Sequence, residues 1–162
     1  MGVTNLNMID VSKLTNLKSI FAGLINVNGI DISKWDVSNC KDFSYMFLDS
    51  DFDGDISDWN VSNGVKFNEM FKNCNNFNCD LSNWDVSNGE EFSYMFTNSK
   101  INFDVNKWNI SKGKKFNSMF SDCPNLNCDF TNLKKNKNAY YRNMFKNTLN
   151  VITPEWYTDK MR

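Results

Sequence analysis

Asp49, Asp51, Asp53 and Asp55 alternate with Ser50, Phe52 and Gly54 ahead of Ile56. That spacing sets a carboxylate at the first, third, fifth and seventh places of an EF-hand-type calcium loop, with glycine at the sixth. The twelfth place is Asn60, which cannot supply the bidentate carboxylate such a loop needs. Phe52 and Ile56 also fall in an apolar repeat, so an acidic inter-repeat loop is expected, and the four Asp are the candidates should a cation bind. Cysteine is the second reactive type. Cys74-x4-Cys79 recurs as Cys123-x4-Cys128, 49 residues later, with Cys40 alone. The chain has no histidine, so neither a thiol nor a hydroxyl has an imidazole base. C-x-x-C zinc spacing is absent, and the glycines stand singly rather than in a phosphate loop. The cysteines are expected to be small buried fillers with free thiols, fitting a reducing compartment. A bridge inside each C-x4-C loop is the alternative. No enzyme activity and no cofactor are expected.

The elements that must position these residues form a repeat. Trp35, Trp59, Trp84 and Trp108 are spaced by 24, 25 and 24 residues. Met-Phe pairs at Met46, Met70, Met95, Met119 and Met144 keep spacings of 24, 25, 24 and 25. Within one unit, Trp59 and Val61 alternate as on a short strand, and Phe67, Met70 and Phe71 fall at i, i+3 and i+4 as on a helical face. Gly64, Gly89 and Gly113 punctuate the bend between them, where a left-handed residue costs little in glycine. The expected fold is an α/β, leucine-rich-repeat-like right-handed solenoid of about six units of 24–26 residues, each a short parallel strand plus a short helix. One domain, 1–162, is expected: a degenerate first unit at 1–29, four regular units at 30–129, a degenerate last unit at 130–147 and a cap at 148–162 built on Trp156.

The run Asp31-Ile32-Ser33-Lys34-Trp35-Asp36-Val37-Ser38-Asn39, followed by Phe43-x-x-Met46-Phe47, resembles the BspA-like bacterial surface-protein repeat. The resemblance is strong over 30–129. It implies a surface or secreted protein with a binding or adhesion role. Against it, the start of the chain shows no charged segment followed by an apolar block, so no signal peptide is expected. With the five cysteines this points to the cytoplasm instead. No apolar run reaches the length of a membrane span.

If Trp and Val face inward, their neighbours face solvent. Asp36, Asn60, Asp85 and Asn109 form one outward row, and Ser38, Ser62, Ser87 and Ser111 another. These eight are the expected contact residues for a protein partner, with a glycan as the other ligand class. The expected function is a non-catalytic protein-binding module for adhesion or host recognition. The alternatives are an intracellular adaptor or inhibitor and a self-assembling structural repeat. Charge is graded: residues 31–60 carry two Lys and eight Asp, whereas 101–162 carry eleven Lys or Arg and five Asp or Glu. Such polarity favours head-to-tail self-association. The net charge of −1 gives no polycation, and the basic end around Lys134, Lys135 and Arg142 is read as a solvated cap rather than a nucleic-acid surface.

Overall fold

The structure is a computed structural model that describes residues 4–26 and 29–158. The outermost residues of the expected first unit and of the cap (1–3 and 159–162) and positions 27–28 lie outside the described residues. Among the described residues the regular elements are two strands, β1 (Thr4–Asn5) and β2 (Ile30–Asp31), paired in parallel with Thr4 opposite Ile30. No helix is present among them. The expectation of an α/β leucine-rich-repeat-like solenoid, with a strand and a helix in each unit, is therefore overturned. The Trp-x-Val segment is irregular backbone between two turns, and the residues after the Phe of Phe-x-x-Met-Phe form a further run of turns.

What replaces them is a stack of turn-built repeats lying parallel and side by side. Single-residue parallel bridges run Asn16–Asp42–Lys66–Glu91–Lys115–Tyr140, one step per repeat. The expected helix fails because its N–H groups divide between two sets of acceptors. Phe43, Tyr45, Phe47 and Asp49 donate to the Lys66, Asn68, Met70 and Lys72 carbonyls of the next repeat, at 2.8–3.0 Å. Met46, Leu48 and Ser50 donate back to Phe43, Tyr45 and Phe47, at 3.1–3.2 Å. A helix would instead consume every N–H within its own turn. The alternation needs left-handed backbone twice per repeat. One position holds Gly23, Asp49, Asn73, Asn98, Asp122 and Asn147, residue types that tolerate it. The other holds Ser19, Tyr45, Glu69, Tyr94, Ser118 and Asn143.

The three bend glycines have another purpose than the one expected. Gly64, Gly89 and Gly113 do not have positive φ. A Cβ on them would meet the Cζ of Phe67, Phe92 and Phe116 at 2.3, 2.2 and 2.0 Å. Glycine is there because an aromatic ring occupies the space a side chain would fill.

Aromatic columns form the core. Phe43, Phe67, Phe92, Phe116 and Tyr141 stack at 5.1–5.4 Å with rings within 8° of parallel. Phe21, Phe47, Phe71, Phe96, Phe120 and Phe145 form a second column at 5.4–5.8 Å. Both spacings suit offset stacking. Each indole N–H ties its repeat to the one before: Trp35 to Leu6, Trp59 to Ile32, Trp84 to Ile56 and Trp108 to the Leu81 carbonyl, at 2.9–3.1 Å. The expected cap residue Trp156 is half-buried, packs on Tyr141 at 4.8 Å and donates to the Leu133 carbonyl at 2.7 Å.

Candidate functional site

The predicted contact rows lie on the turn that follows each tryptophan. Asp36, Asn60, Asp85 and Asn109 are exposed, one per repeat. Ser38, Ser62 and Ser87 are half-buried and Ser111 is exposed. The two rows are linked locally: the side-chain oxygens of Asp36, Asn60, Asp85 and Asn109 accept the N–H of Ser38, Ser62, Ser87 and Ser111 at 3.0, 3.2, 3.0 and 3.2 Å. These are Asx turns, the local alternative to helix or ladder pairing. The Ser38 hydroxyl and then its N–H hold Asp36 below the ordinary carboxylate range, against desolvation and the Asp10 charge. Ser87 does the same for Asp85. A carboxylate so held stays ionised, so it presents fixed charge and is no general acid. Asp85 and Asn109 share a shallow cleft with Lys107.

Next to Ser38, Ser62 and Ser87, Asn39, Asn63 and Asn88 extend their amides to the Ser12, Ser38 and Ser62 carbonyls of the preceding repeat, each at 2.8 Å. The Asx turn is thus braced from its own serine and from the next repeat.

The four cation candidates are not brought together. Asp49 accepts the Asn73 amide, Asp51 the Asn26 N–H at 3.0 Å, and Asp53 the Gly29 N–H at 3.1 Å. Asp55 closes its own Asx turn on Ser57 at 3.0 Å. Each carboxylate serves a different partner, and among the described residues no three such side chains converge as metal ligands. All five cysteines are free thiols. Cys74 and Cys123 stand in one buried column with Ser50, Ser99 and Thr148. Their thiols and the Thr148 hydroxyl donate to the Phe47, Phe96 and Phe120 carbonyls of the preceding repeat. Burial pushes Cys74 up to about 12 and Cys123 up to about 11. That removes thiolate character.

Sequence reasoning missed a charged row on another side of the stack. Lys66 lies 3.9 Å from Asp42, and Lys115 lies 2.9 Å from Glu91. Lys114 pairs with Glu90 at 2.6 Å. The signal was available: Asp42, Lys66, Glu91 and Lys115 each precede a column phenylalanine and alternate in sign. A second missed feature is a cavity between the last two repeats, bounded by Trp108, Phe120, Phe130, Leu133 and Met144.

No curated protein and no solved structure matches the chain. The family model described as Mycoplasma protein of unknown function, DUF285, matches residues 2–103 and again 51–156. The two matches begin 49 residues apart, the same interval that separates the two Cys-x4-Cys loops. The family pattern therefore fits the chain twice, displaced by two repeats. With nearly the whole chain covered, the protein belongs to this Mycoplasma family.

Proposed function

We propose that the chain is a non-catalytic recognition module that offers the Asx-turn row to a protein partner. Asp36, Asn60, Asp85 and Asn109 make the contact, with Ser38, Ser62, Ser87 and Ser111 holding them in place. One observation carries this reading: each of the four regular repeats presents at this register an exposed acidic or amide side chain that its own turn already fixes. Side chains ordered before contact lose less freedom on binding. Repeat stacks offer such rows as extended surfaces. The likeness to BspA-like surface repeats supports adhesion or host recognition as the setting, against an adaptor inside the cell. The charge grading, with the first repeat leaving Met8, Ile9, Leu14 and Ile20 exposed, favours end-to-end self-association as the second reading.

Capture with the native chain and with an Asp36→Lys/Asp85→Lys variant tests this, using producer-cell lysate and a host-surface extract in parallel. Lysine already stands at this register in Lys134, so the variant keeps the fold, which thermal melting checks. A partner held by the native chain and lost by the variant is expected, and its pool of origin gives the setting. A partner held equally by both overturns the row as the contact surface. Salt-sensitive oligomers by sedimentation, with nothing captured, support the second reading instead.

A further inference from the structure

Four successive repeats fill one slot with an indole, and the fifth does not. In each filled slot two things recur. The ring lies against the second column phenylalanine of the preceding repeat: Trp35 on Phe21 at 5.6 Å, Trp59 on Phe47 at 6.5 Å, Trp84 on Phe71 at 6.3 Å and Trp108 on Phe96 at 6.2 Å. Its N–H meets the carbonyl of Leu6, Ile32, Ile56 or Leu81. Continuing the series by one repeat puts Leu133 at the tryptophan register, Phe120 as the ring beneath it and Val105 as the carbonyl.

Leucine is too small for this slot and has no donor. What remains is a cavity of about 380 Å³, inside the size range of small-ligand sites. Phe120 and Val105 both line it, beside Trp108, Phe130 and Met144. The Val105 carbonyl accepts the Trp108 backbone N–H at 2.9 Å. The equivalent Ile56 carbonyl takes the Trp59 backbone N–H and still accepts the Trp84 indole. Room for one more donor is therefore a property of this register. The rim is polar, with Asn109, Ser111 and Lys134.

We propose that this cavity is a receptor for an indole supplied from outside the chain, and that its bearer is a tryptophan of a partner polypeptide. The ring packs at a tilt against Phe120 and its N–H donates to the Val105 carbonyl, as the chain's own tryptophans do in the four repeats before at 30–46° between ring planes. The amide and hydroxyl groups of Asn109 and Ser111 at the rim match the main chain on either side of such a tryptophan. The choice of a polypeptide bearer rests on the protein-recognition reading; the indole slot itself does not.

The test titrates carbon-13 methionine-methyl-labelled protein with a blocked Gly-Trp-Gly peptide, a blocked Gly-Leu-Gly peptide and free indole. The tryptophan peptide is expected to shift the Met119 and Met144 methyls, which line the cavity, and to leave Met46 and Met70 unmoved. The leucine peptide is expected to bind at least about tenfold more weakly, as loss of a buried tryptophan anchor does. Leu133→Trp fills the slot from within, so it is expected to abolish the shifts. No shift at Met119 and Met144, or shifts spread equally to Met46 and Met70, overturns the site. Persistence of binding in a folded Leu133→Trp protein overturns it too. If that variant does not fold, the methyl map of the native chain decides alone. Free indole binding more tightly than the tryptophan peptide overturns the polypeptide bearer. None of these readouts involves Asp36 or Asp85, so failure here and failure of the capture experiment are separate results.

Discussion

The middle repeats and the last repeat solve the same problem with different residues. From Ile32 to Phe120 each repeat has its own tryptophan to bond the one before, and the Gly64, Gly89 and Gly113 repeats have a glycine under the column ring. In the last repeat Leu133 stands for tryptophan, Asn138 for glycine and Tyr141 for phenylalanine. The substitutes still satisfy the stack. Tyr141 continues the phenylalanine column at 5.1 Å from Phe116, and its hydroxyl accepts the Asn136 N–H at 2.8 Å. Asn136 sends its amide to the Gly113 carbonyl at 2.9 Å. Trp156, from beyond the repeat, covers Tyr141. The middle is held by identical contacts passed from neighbour to neighbour. The end is held by single contacts that occur once, and its open slot is where the identity breaks.

The largest expected effect tests that division. Phe71 is fully buried, with Phe47 and Phe96 stacked on its two sides and Phe77 at 4.2 Å. Phe71→Ala removes a ring from the centre of the column and is expected to cost about 3–5 kcal/mol. Trp156→Ala at the half-buried end is expected to cost about half of a buried tryptophan, roughly 2 kcal/mol. Chemical denaturation of both variants measures the difference. Equal losses would show that the end contributes as much as the middle, and the division would fall.

Gly89→Ala follows. The new Cβ would lie 2.2 Å from the Phe92 Cζ and 3.0 Å from the Val86 carbonyl oxygen. The ring must move, and it is stacked on Phe67 and Phe116. Overpacking of this kind costs about 1–3 kcal/mol. In the last repeat Asn138 already occupies the register and is exposed, so Asn138→Ala is expected to change stability little. Thermal melts of the pair separate the two repeats. A harmless Gly89→Ala would show that the Phe92 ring moves aside freely and that contact with it is not what requires glycine.

How far the sequence could be read follows from these residues. The period, the buried Trp, Val, Met and Phe positions and the small Cys and Ser fillers were legible, because side-chain burial repeats in register with residue type. The backbone was not. Phe67, Met70 and Phe71 have helical spacing, yet Glu69 between them takes φ of 54°, and nothing in a lone Glu announces that. The i, i+3, i+4 rhythm arises here from turns that return every third residue, and a helix gives the same pattern. The strand was placed on Trp59–Val61, whereas the pairing falls on Lys66, one residue before the column phenylalanine. Of the two outward rows, Asp36, Asn60, Asp85 and Asn109 are exposed, whereas Ser38, Ser62 and Ser87 are half-buried. The Asx turns on serine were readable in the Asp-x-Ser and Asn-x-Ser spacing. The open slot was visible only as a leucine where a tryptophan belonged, and became a cavity once the four filled slots fixed what it should hold.

The charged row gives a smaller effect. Glu91 accepts from Lys115 and the Asn68 amide, and these hold its carboxyl below the ordinary range. Glu91→Lys sets a cation between Lys66 and Lys115. Exposed pairs of this type contribute up to about 1 kcal/mol, so a loss of about that size is expected, shrinking as salt is added. The last repeat places Tyr140 in this row, so Tyr140→Lys beside Lys115 is expected to show a smaller and equally salt-dependent loss. A salt-independent loss at Glu91 would mean that packing and not charge was disturbed.

The smallest effect isolates single carboxylates. Asp36 and Asp85 are both held below the ordinary carboxylate value by their serines, while Asn60 and Asn109 make the same turn with no charge to lose. The sign follows from the folded value lying under the unfolded one. The stabilisation is complete above the unfolded Asp value of about 3.9 and is lost as pH falls through the folded value. Amide NMR is therefore expected to show the Ser38 and Ser87 N–H signals moving only as the solution is acidified below about pH 4, with Ser62 and Ser111 unmoved. Asp36→Asn/Asp85→Asn should leave neutral-pH stability nearly unchanged, since asparagine already serves at two of the four turns, and should flatten the acid limb of the melting curve. In the last repeat Lys134 holds this position, so the Asn136 amide signal should not report it. If Ser62 moved together with Ser38, the carboxylates would be titrating through a collective loosening of the stack. The independence of one turn from the next, on which a row of separately fixed contact residues depends, would then be lost.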